Sequence, residues 1–249
     1  MQIVHGAIEV IFDVVVGLPE ASPLSVVISL FMYGLTGFIV IGYGLSRAGL
    51  EWNELVNGNK LPARSYLIVL MLFAGLLPVI AEMGNYVQSF YPITDFWEEV
   101  FQSVYQSNLA FFEIVVIAPI LEETVYRGII LKGFLQRYKP WFAISLSSLL
   151  FAVAHLNIWQ MIPAFVVALF LGWIFYKTHS LVLVVFSHAS YNGLILLINR
   201  YAETPGFSDG GSPFPAWLTF LGVSVVLFGV LIFNNCISLA RYYSTNSNS

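Results

Sequence analysis

The chain has 249 residues, and its composition is far more apolar than that of a soluble domain. Hydrophobic residues make up 58% of it and charged residues only 10%, and the mean hydropathy is +0.81. Soluble domains carry about 25% charged residues, so the composition predicts a multi-pass integral membrane protein embedded in the lipid bilayer. The formal net charge of −4, with no basic patch, argues against a nucleic-acid partner. The single cysteine, Cys236, excludes an internal disulfide and a cysteine-based metal site.

Residues 1–18 are apolar apart from a polar stripe of His5, Glu9 and Asp13. The spacing of four places all three on one face of a helix. Two interpretations are open for this face. The side chains are a set of metal ligands, or the helix lies at the membrane interface and turns its polar side toward water or a neighbour. The second interpretation is favoured, because such stripes are common in interfacial helices.

Apolar stretches long enough for membrane helices follow along the rest of the chain. They cover residues 24–45, 65–87, 103–138, 140–156, 158–176, 180–198 and 216–236. Residues 88–104 between them are acidic and aromatic, a composition typical of an interfacial segment. With residues 1–18 counted, the pattern predicts an all-α bundle of about eight helices that forms a single domain over residues 1–249.

The distribution of lysine and arginine predicts the orientation of this bundle. If the 46–64 loop is cytoplasmic, eight basic residues fall on the cytoplasmic side: Arg47, Lys60, Arg64, Lys132, Arg137, Lys139, Lys177 and Arg241. Of the remaining two, Arg200 lies on the opposite side and Arg127 lies within a span. Because cytoplasmic loops are enriched in basic residues, the C-terminus is predicted to be cytoplasmic.

Two adjacent glutamates and an arginine interrupt the apolar run near the middle of the chain. In a helix, Glu123 and Arg127 are at i,i+4 and can pair on one face, while Glu122 is turned by about 100°. The pair has two open interpretations, a functional one and a buried ion pair that holds helix packing. Glu122 has no partner on its own helix face, and an ionisable residue at membrane depth is by default functional.

Three further polar residues lie on two later helices. His155 ends the stretch Phe151-Ala-Val-Ala-His155, and His188 and Asn192 share a face at i,i+4. If residues 138–140 form a turn, Glu122 and His155 both lie about 23 Å from it along antiparallel helices. His188 and Asn192 lie about 12–20 Å from the turn near residue 179, somewhat shallower. We therefore expect the four side chains to meet in one pocket.

Such a pocket suits the activation of water, by one of two schemes. In the first, a carboxylate takes a proton from water, and an imidazole and a carboxamide donate hydrogen bonds to the developing oxyanion. In the second, Glu122, His155 and His188 hold a catalytic zinc ion with an open coordination position. Asn192 is a poor zinc ligand, which fits an oxyanion or orienting role in either scheme.

Taken in order on separate helices, these residues resemble a known family. Three motifs carry the resemblance: Glu122-Glu123-x-x-x-Arg127, Phe151-x-x-x-His155 and His188-x-x-x-Asn192. They are similar to the motifs of the CPBP family, the CAAX-protease and bacteriocin-processing membrane endopeptidases, which include the type II CAAX prenyl protease. The resemblance covers residues 118–192 and implies about eight helices around an intramembrane polar cavity. It also implies that Glu122 is catalytic, with His155, His188 and Asn192 around the water and with Glu123, Arg127 and Phe151 in support.

The resemblance implies an intramembrane endopeptidase that cleaves a membrane-associated protein or peptide, including the prenylated CAAX type. It leaves open whether a zinc ion takes part. Two other functions fit the same helices: a non-catalytic scaffold or immunity protein, and a transporter that relays protons through Glu122 and the histidines. A transporter is favoured by inverted repeats with paired broken helices, and the sequence shows none.

Overall fold

The computed structural model describes residues 23–56, 61–106, 111–201 and 215–246, and these ranges form helices and no strand. The eight principal helices are α1 Pro23–Ala48, α2 Arg64–Phe90, α3 Asp95–Gln106, α4 111–135, α5 Pro140–Val153, α6 Ile158–Thr178, α7 Leu181–Tyr201 and α8 Ala216–Asn246. A short helical turn, Trp52–Val56, lies between α1 and α2. The predicted all-α bundle of about eight helices is therefore confirmed. The stripe predicted for residues 1–18 lies outside the described ranges.

The chain is a multi-pass integral membrane protein. Four of the described helices contain stretches that are long and apolar enough to cross a bilayer: Arg64–Phe90, Ile158–Thr178, Leu181–Arg200 and Ala216–Ala240. Their outer faces carry large apolar side chains, such as Phe220 and Leu227, which are 75% and 63% exposed. Lipid tails solvate such side chains, whereas water does not, so these faces indicate contact with the bilayer.

The central helix differs from the uninterrupted α-helix predicted over residues 103–138. Within α4, the α-helical segments Ala118–Glu123 and Lys132–Leu135 alternate with two π-helical segments, Glu113–Ile117 and Thr124–Leu131. The predicted interfacial segment is also divided. α2 continues to Phe90, and the extended residue Tyr91 ends it, because proline at position 92 disfavours helical geometry in the residue before it. α3 then begins at Asp95.

Packing divides the bundle into an apolar side and a polar side. α8 packs along α2, and α2 also contacts α6 and α7. The buried core between them is apolar and includes Leu72, Phe73, Leu171, Ile174, Leu183 and Phe233. On the other side, α4 contacts α1, α5 and α7. The polar residues singled out in the sequence gather around α4, in the interior of this second group.

Candidate active site

Two π-helical segments flank the single α-helical stretch that carries both glutamates. A π turn holds one more residue than an α turn, and such turns are frequent at functional sites. In the first segment, the N–H of Ala118 donates to the carbonyl of Glu113, five residues earlier. At the same spacing Pro119 faces the carbonyl of Ile114, but proline has no N–H to give. The side chain of Asn192 supplies the missing donor, with Nδ2 at 2.9 Å from that carbonyl oxygen.

Glu123 is fully buried and holds two partners through a single oxygen. Arg127 Nη1 donates to Oε1 at 2.8 Å, as the i,i+4 spacing predicted. His188 Nδ1 lies 2.7 Å from the same oxygen, a contact that the sequence did not predict. Oε2 has no hydrogen-bond partner among the described residues. The second guanidinium nitrogen, Arg127 Nη2, donates to the carbonyl of Ala168 at 3.0 Å. Glu123 therefore ties α4 to α7, and Arg127 ties it to α6.

Phe151 on α5 is the apolar centre of this arrangement. Its ring is buried, and the Arg127 guanidinium carbon lies 4.8 Å from the ring centroid, within cation–π range. The rings of His155 and His188 lie 5.0 and 5.8 Å from it, centroid to centroid, and the ring of Tyr126 lies 5.1 Å from it. Phe151 thus separates the two imidazoles and limits where each can turn, which gives the Phe-x-x-x-His motif a physical role.

His155 lies just past the end of α5, in the tight connection to α6. Its Nδ1 is 3.0 Å from the carbonyl oxygen of Phe151. Because a carbonyl oxygen only accepts, Nδ1 carries the hydrogen, and in the neutral ring Nε2 is left as an acceptor. Asn157 caps α6 by accepting from the backbone N–H of Gln160, and it donates to the carbonyl of His155. The connection therefore fixes both the position and the tautomer of this imidazole.

Glu122 is 6% exposed, and its partner among the described residues comes from α1. The hydroxyl of Tyr33 donates to Oε1 of Glu122 at 3.3 Å. The charge of Glu122 also lies close enough to His155 to interact with its ring electrostatically. The sequence did not point to Tyr33, because an uncharged aromatic residue in an apolar span is usually a lipid-facing or core residue. The signal was its position on the same helix face as Gly37 and Gly44.

A metal site requires several ligand side chains that converge on one point. Within the described ranges, no group of three or more His, Cys, Asp or Glu side chains has an arrangement that suits a metal ion. The Nδ1 atoms of both imidazoles face protein acceptors, the carbonyl of Phe151 and the carboxylate of Glu123, so Nε2 is the atom of each ring that is left for a ligand. The set Glu122, His155 and His188 stays a predicted zinc site.

The structure thus gathers most of the predicted site residues into one buried cluster. Glu123, Arg127 and His188 are directly bonded, Phe151 contacts the arginine and both histidines, and Glu122 and His155 lie beside them. Asn192 is one helical turn beyond His188 on α7 and is tied to α4. The cluster lies among α1, α4, α5 and α7. A buried acid, two imidazoles and a carboxamide at this depth can move a proton and bind an oxyanion.

Comparison with known proteins covers the same part of the chain. Residues 105–194 match a family model described as type II CAAX prenyl endopeptidase Rce1-like. The matched range contains all three motifs, while α1, α2 and α8 lie outside it. Searches of curated proteins and of solved structures found no match to this chain. Residues 105–194 are therefore similar to the Rce1-like type II CAAX prenyl endopeptidases, in agreement with the resemblance to the CPBP family carried by the three motifs.

Proposed function

We propose that the protein is an endopeptidase that hydrolyses a peptide bond inside the membrane with water activated by Glu122. The observation that carries this proposal is the unequal environment of the two adjacent glutamates. Glu123 is occupied by Arg127 and His188, so its charge is neutralised and its orientation fixed. Glu122 is bonded by an uncharged phenol, and the nearby arginine donates to other groups. One acid supports the structure, and the other is available to take a proton.

In this mechanism Glu122 accepts a proton from water as the oxygen attacks the carbonyl carbon of the scissile bond. Nε2 of His155, the acceptor in its neutral ring, holds the same water by a hydrogen bond. His188 and Asn192 donate to the oxyanion that forms. Collapse of the tetrahedral intermediate breaks the C–N bond, and Glu122 returns its proton to the departing amine. With Nδ1 of His188 held by the Glu123 carboxylate, the hydrogen bond to the oxyanion comes from Nε2 when both ring nitrogens carry hydrogen.

The substrate class follows from where the site lies. The cluster lies among apolar helices of a membrane protein, so we propose a membrane-associated protein or peptide as substrate. The matched family is named for prenylated CAAX sequences, and we propose a prenylated C-terminus of this type as the first candidate. A lipid-modified cysteine near the cleaved bond would partition into the bilayer and bring that bond to the depth of Glu122.

The proposal is tested with Glu122→Gln, which keeps the size and hydrogen-bonding capacity of the side chain but removes the base. Purified protein would be assayed against a panel of prenylated CAAX peptides and unmodified hydrophobic peptides. We expect Glu122→Gln to fold like the parent and to lose nearly all cleavage. Glu51→Gln, an exposed glutamate outside the bundle, is the matched control and should retain parental turnover. Parental turnover in Glu122→Gln would reject the glutamate mechanism, whereas a parent protein that cleaves no peptide of the panel would favour the scaffold or transporter alternatives.

The same assay examines the other site residues and the zinc scheme. His155→Ala and His188→Ala should fall to similarly low activity, because residues that act as a unit are non-additive. Asn192→Ala should lose about 10²- to 10³-fold if it donates to the oxyanion. We expect cleavage to survive dialysis against a strong zinc chelator. Loss of activity that is restored by added zinc would replace the glutamate-activated water with the metal-bound one.

A further inference from the structure

Within residues 31–48 of α1, one face turns inward while many of the other side chains are exposed. Tyr33, Gly37 and Ile41 are buried, whereas Phe31 and Phe38 are exposed. The buried residues follow one another at a spacing of four, so they lie on a single helix face. This face is the part of α1 that meets α4, and Tyr33 is the hydroxyl-bearing side chain on it.

Two glycines on this side allow α1 to lie directly against α4. A Cβ atom added at Gly37 would stand 2.6 Å from Cδ1 of Leu121, and one added at Gly44 would stand 2.8 Å from Cδ1 of Ile129. Small residues at such positions let helix backbones approach closely in membranes. Leu121 immediately precedes Glu122. The contact at Gly37 therefore brings the preceding turn of α1, which carries Tyr33, to the level of the Glu122 carboxylate.

The other polar side chains of the site have different partners. Arg127 donates to Glu123 and to Ala168, His188 contacts Glu123, His155 contacts Phe151, and Asn192 donates to Ile114. Glu122 therefore receives its hydrogen bond, within the described residues, from Tyr33 at 3.3 Å. This donor lies outside the matched segment of residues 105–194. A helix beyond that segment thus completes the surroundings of its central acid.

We propose that Tyr33 is a positioning residue that orients the Glu122 carboxylate for proton transfer, an inference that rests on the proposed function of Glu122. A hydroxyl donor holds Oε1 in place and leaves the negative charge of the carboxylate intact. A lysine or arginine donor would neutralise that charge. Glu123 shows the contrast, because Arg127 both binds and neutralises it. The two neighbouring acids are thereby given different tasks by the chemistry of their partners.

The test measures the infrared band of the Glu122 carboxylate in the full-length protein without substrate. Isotope-edited infrared spectra of glutamate-labelled protein would be recorded, and the band that disappears in Glu122→Gln would be assigned to Glu122. We expect this band to shift in Tyr33→Phe, which removes only the hydroxyl. Tyr43→Phe, on an exposed side of the same helix, is the matched control and should leave the band in place. An unchanged Glu122 band in folded Tyr33→Phe would overturn the proposal.

A second variant keeps the test decisive if Tyr33→Phe folds poorly. Incorporation of 4-aminophenylalanine in place of Tyr33 retains an N–H donor at the same position, and we expect it to restore the parental band and activity. On a farnesylated CAAX peptide, Tyr33→Phe should lower kcat about 10- to 100-fold with KM little changed, as expected for loss of a hydrogen bond to a charged group. A kcat within about twofold of the parent would contradict the positioning role.

The two proposals fail in different ways. If Glu122→Gln is inactive while Tyr33→Phe has parental kcat and an unchanged carboxylate band, only the positioning role is wrong. If Glu122→Gln cleaves like the parent, the role of Glu122 itself is wrong, and the positioning role falls with it even where Tyr33→Phe shifts the band. Equal losses of kcat in Tyr33→Phe and Tyr43→Phe would indicate a general effect on α1 and would also reject the positioning role.

Discussion

Arg127 is the largest fully buried side chain in the described part of the chain. Removing a guanidinium from water costs several kcal/mol unless its charge and its donors are matched. Here the match is threefold: the carboxylate of Glu123, the carbonyl of Ala168 and the face of Phe151. The arginine therefore joins α4 to α5 and α6 at one point, and we predict that its main contribution is to hold the site together.

We predict that Arg127→Ala lowers stability strongly, by about 3–5 kcal/mol, because it leaves Glu123 buried without its cation. The expected result is a lower folded yield and a lower melting temperature in detergent, together with loss of activity. Arg137→Ala, an exposed arginine just beyond α4, is the control and should melt like the parent. Parental stability in Arg127→Ala would show that His188 alone compensates the carboxylate and that the ion pair is not structural.

At the scale of elements, α2 and α8 approach each other closely at a pair of glycines, Gly75 and Gly222. A Cβ atom added at Gly222 would stand 2.5 Å from the carbonyl oxygen of Gly75 and 2.7 Å from Cγ of Pro78. One of these neighbours is backbone and the other is a rigid ring, so neither can move aside without shifting a helix. The contact lies on the apolar side of the bundle, away from the polar cluster.

We predict that Gly222→Ala destabilises the protein by about 1–3 kcal/mol, the usual cost of overpacking. A fall in the melting temperature in detergent would measure it. Gly42→Ala is the matched control, because a Cβ atom added there meets nothing within 4 Å. Alanine favours helix formation over glycine, so this control should melt at or above the parental temperature. A parental melting temperature for Gly222→Ala would show that α2 and α8 separate at little cost.

At the scale of the whole molecule, the helix order agrees with the basic-residue pattern. Seven of the eight basic residues that were predicted to be cytoplasmic lie within the described ranges, near helix ends or in the short connections between helices: Arg47, Arg64, Lys132, Arg137, Lys139, Lys177 and Arg241. If α1, α2, α4, α5, α6, α7 and α8 cross in alternating directions, these ends share one side of the membrane, and α8 finishes on that side.

We therefore predict that the C-terminus is cytoplasmic. A reporter fused after Ser249 that is active only in the cytoplasm should be active, and a reporter that is active only outside should be silent. A fusion within the loop after α7 is the matched control and should give the opposite pair of results. An external signal from the fusion after Ser249 would reverse the orientation.

Several features of this protein were determined by the sequence alone, because they depend on local composition and spacing. Apolar stretches of membrane length predicted the helices, since the bilayer selects for length and hydropathy whatever the helix neighbours are. The Glu123–Arg127 pair follows from i,i+4 geometry within one helix. The order of the motifs identified the polar residues around Glu122 without any knowledge of packing.

Only the tertiary structure decided how those residues are paired. The contacts of Glu122 with Tyr33, Glu123 with His188 and Ile114 with Asn192 join residues 89, 65 and 78 positions apart. Hydropathy shows that a helix is buried in lipid, but it does not show which face meets which neighbour, because lipid tails and protein interiors are equally apolar. The helix faces meet where glycines permit close approach and where the carbonyl of Ile114, which Pro119 leaves without a backbone donor, accepts from Asn192. That packing, rather than any local pattern, adds His188 to the Glu123–Arg127 pair and gives Glu122 a phenol.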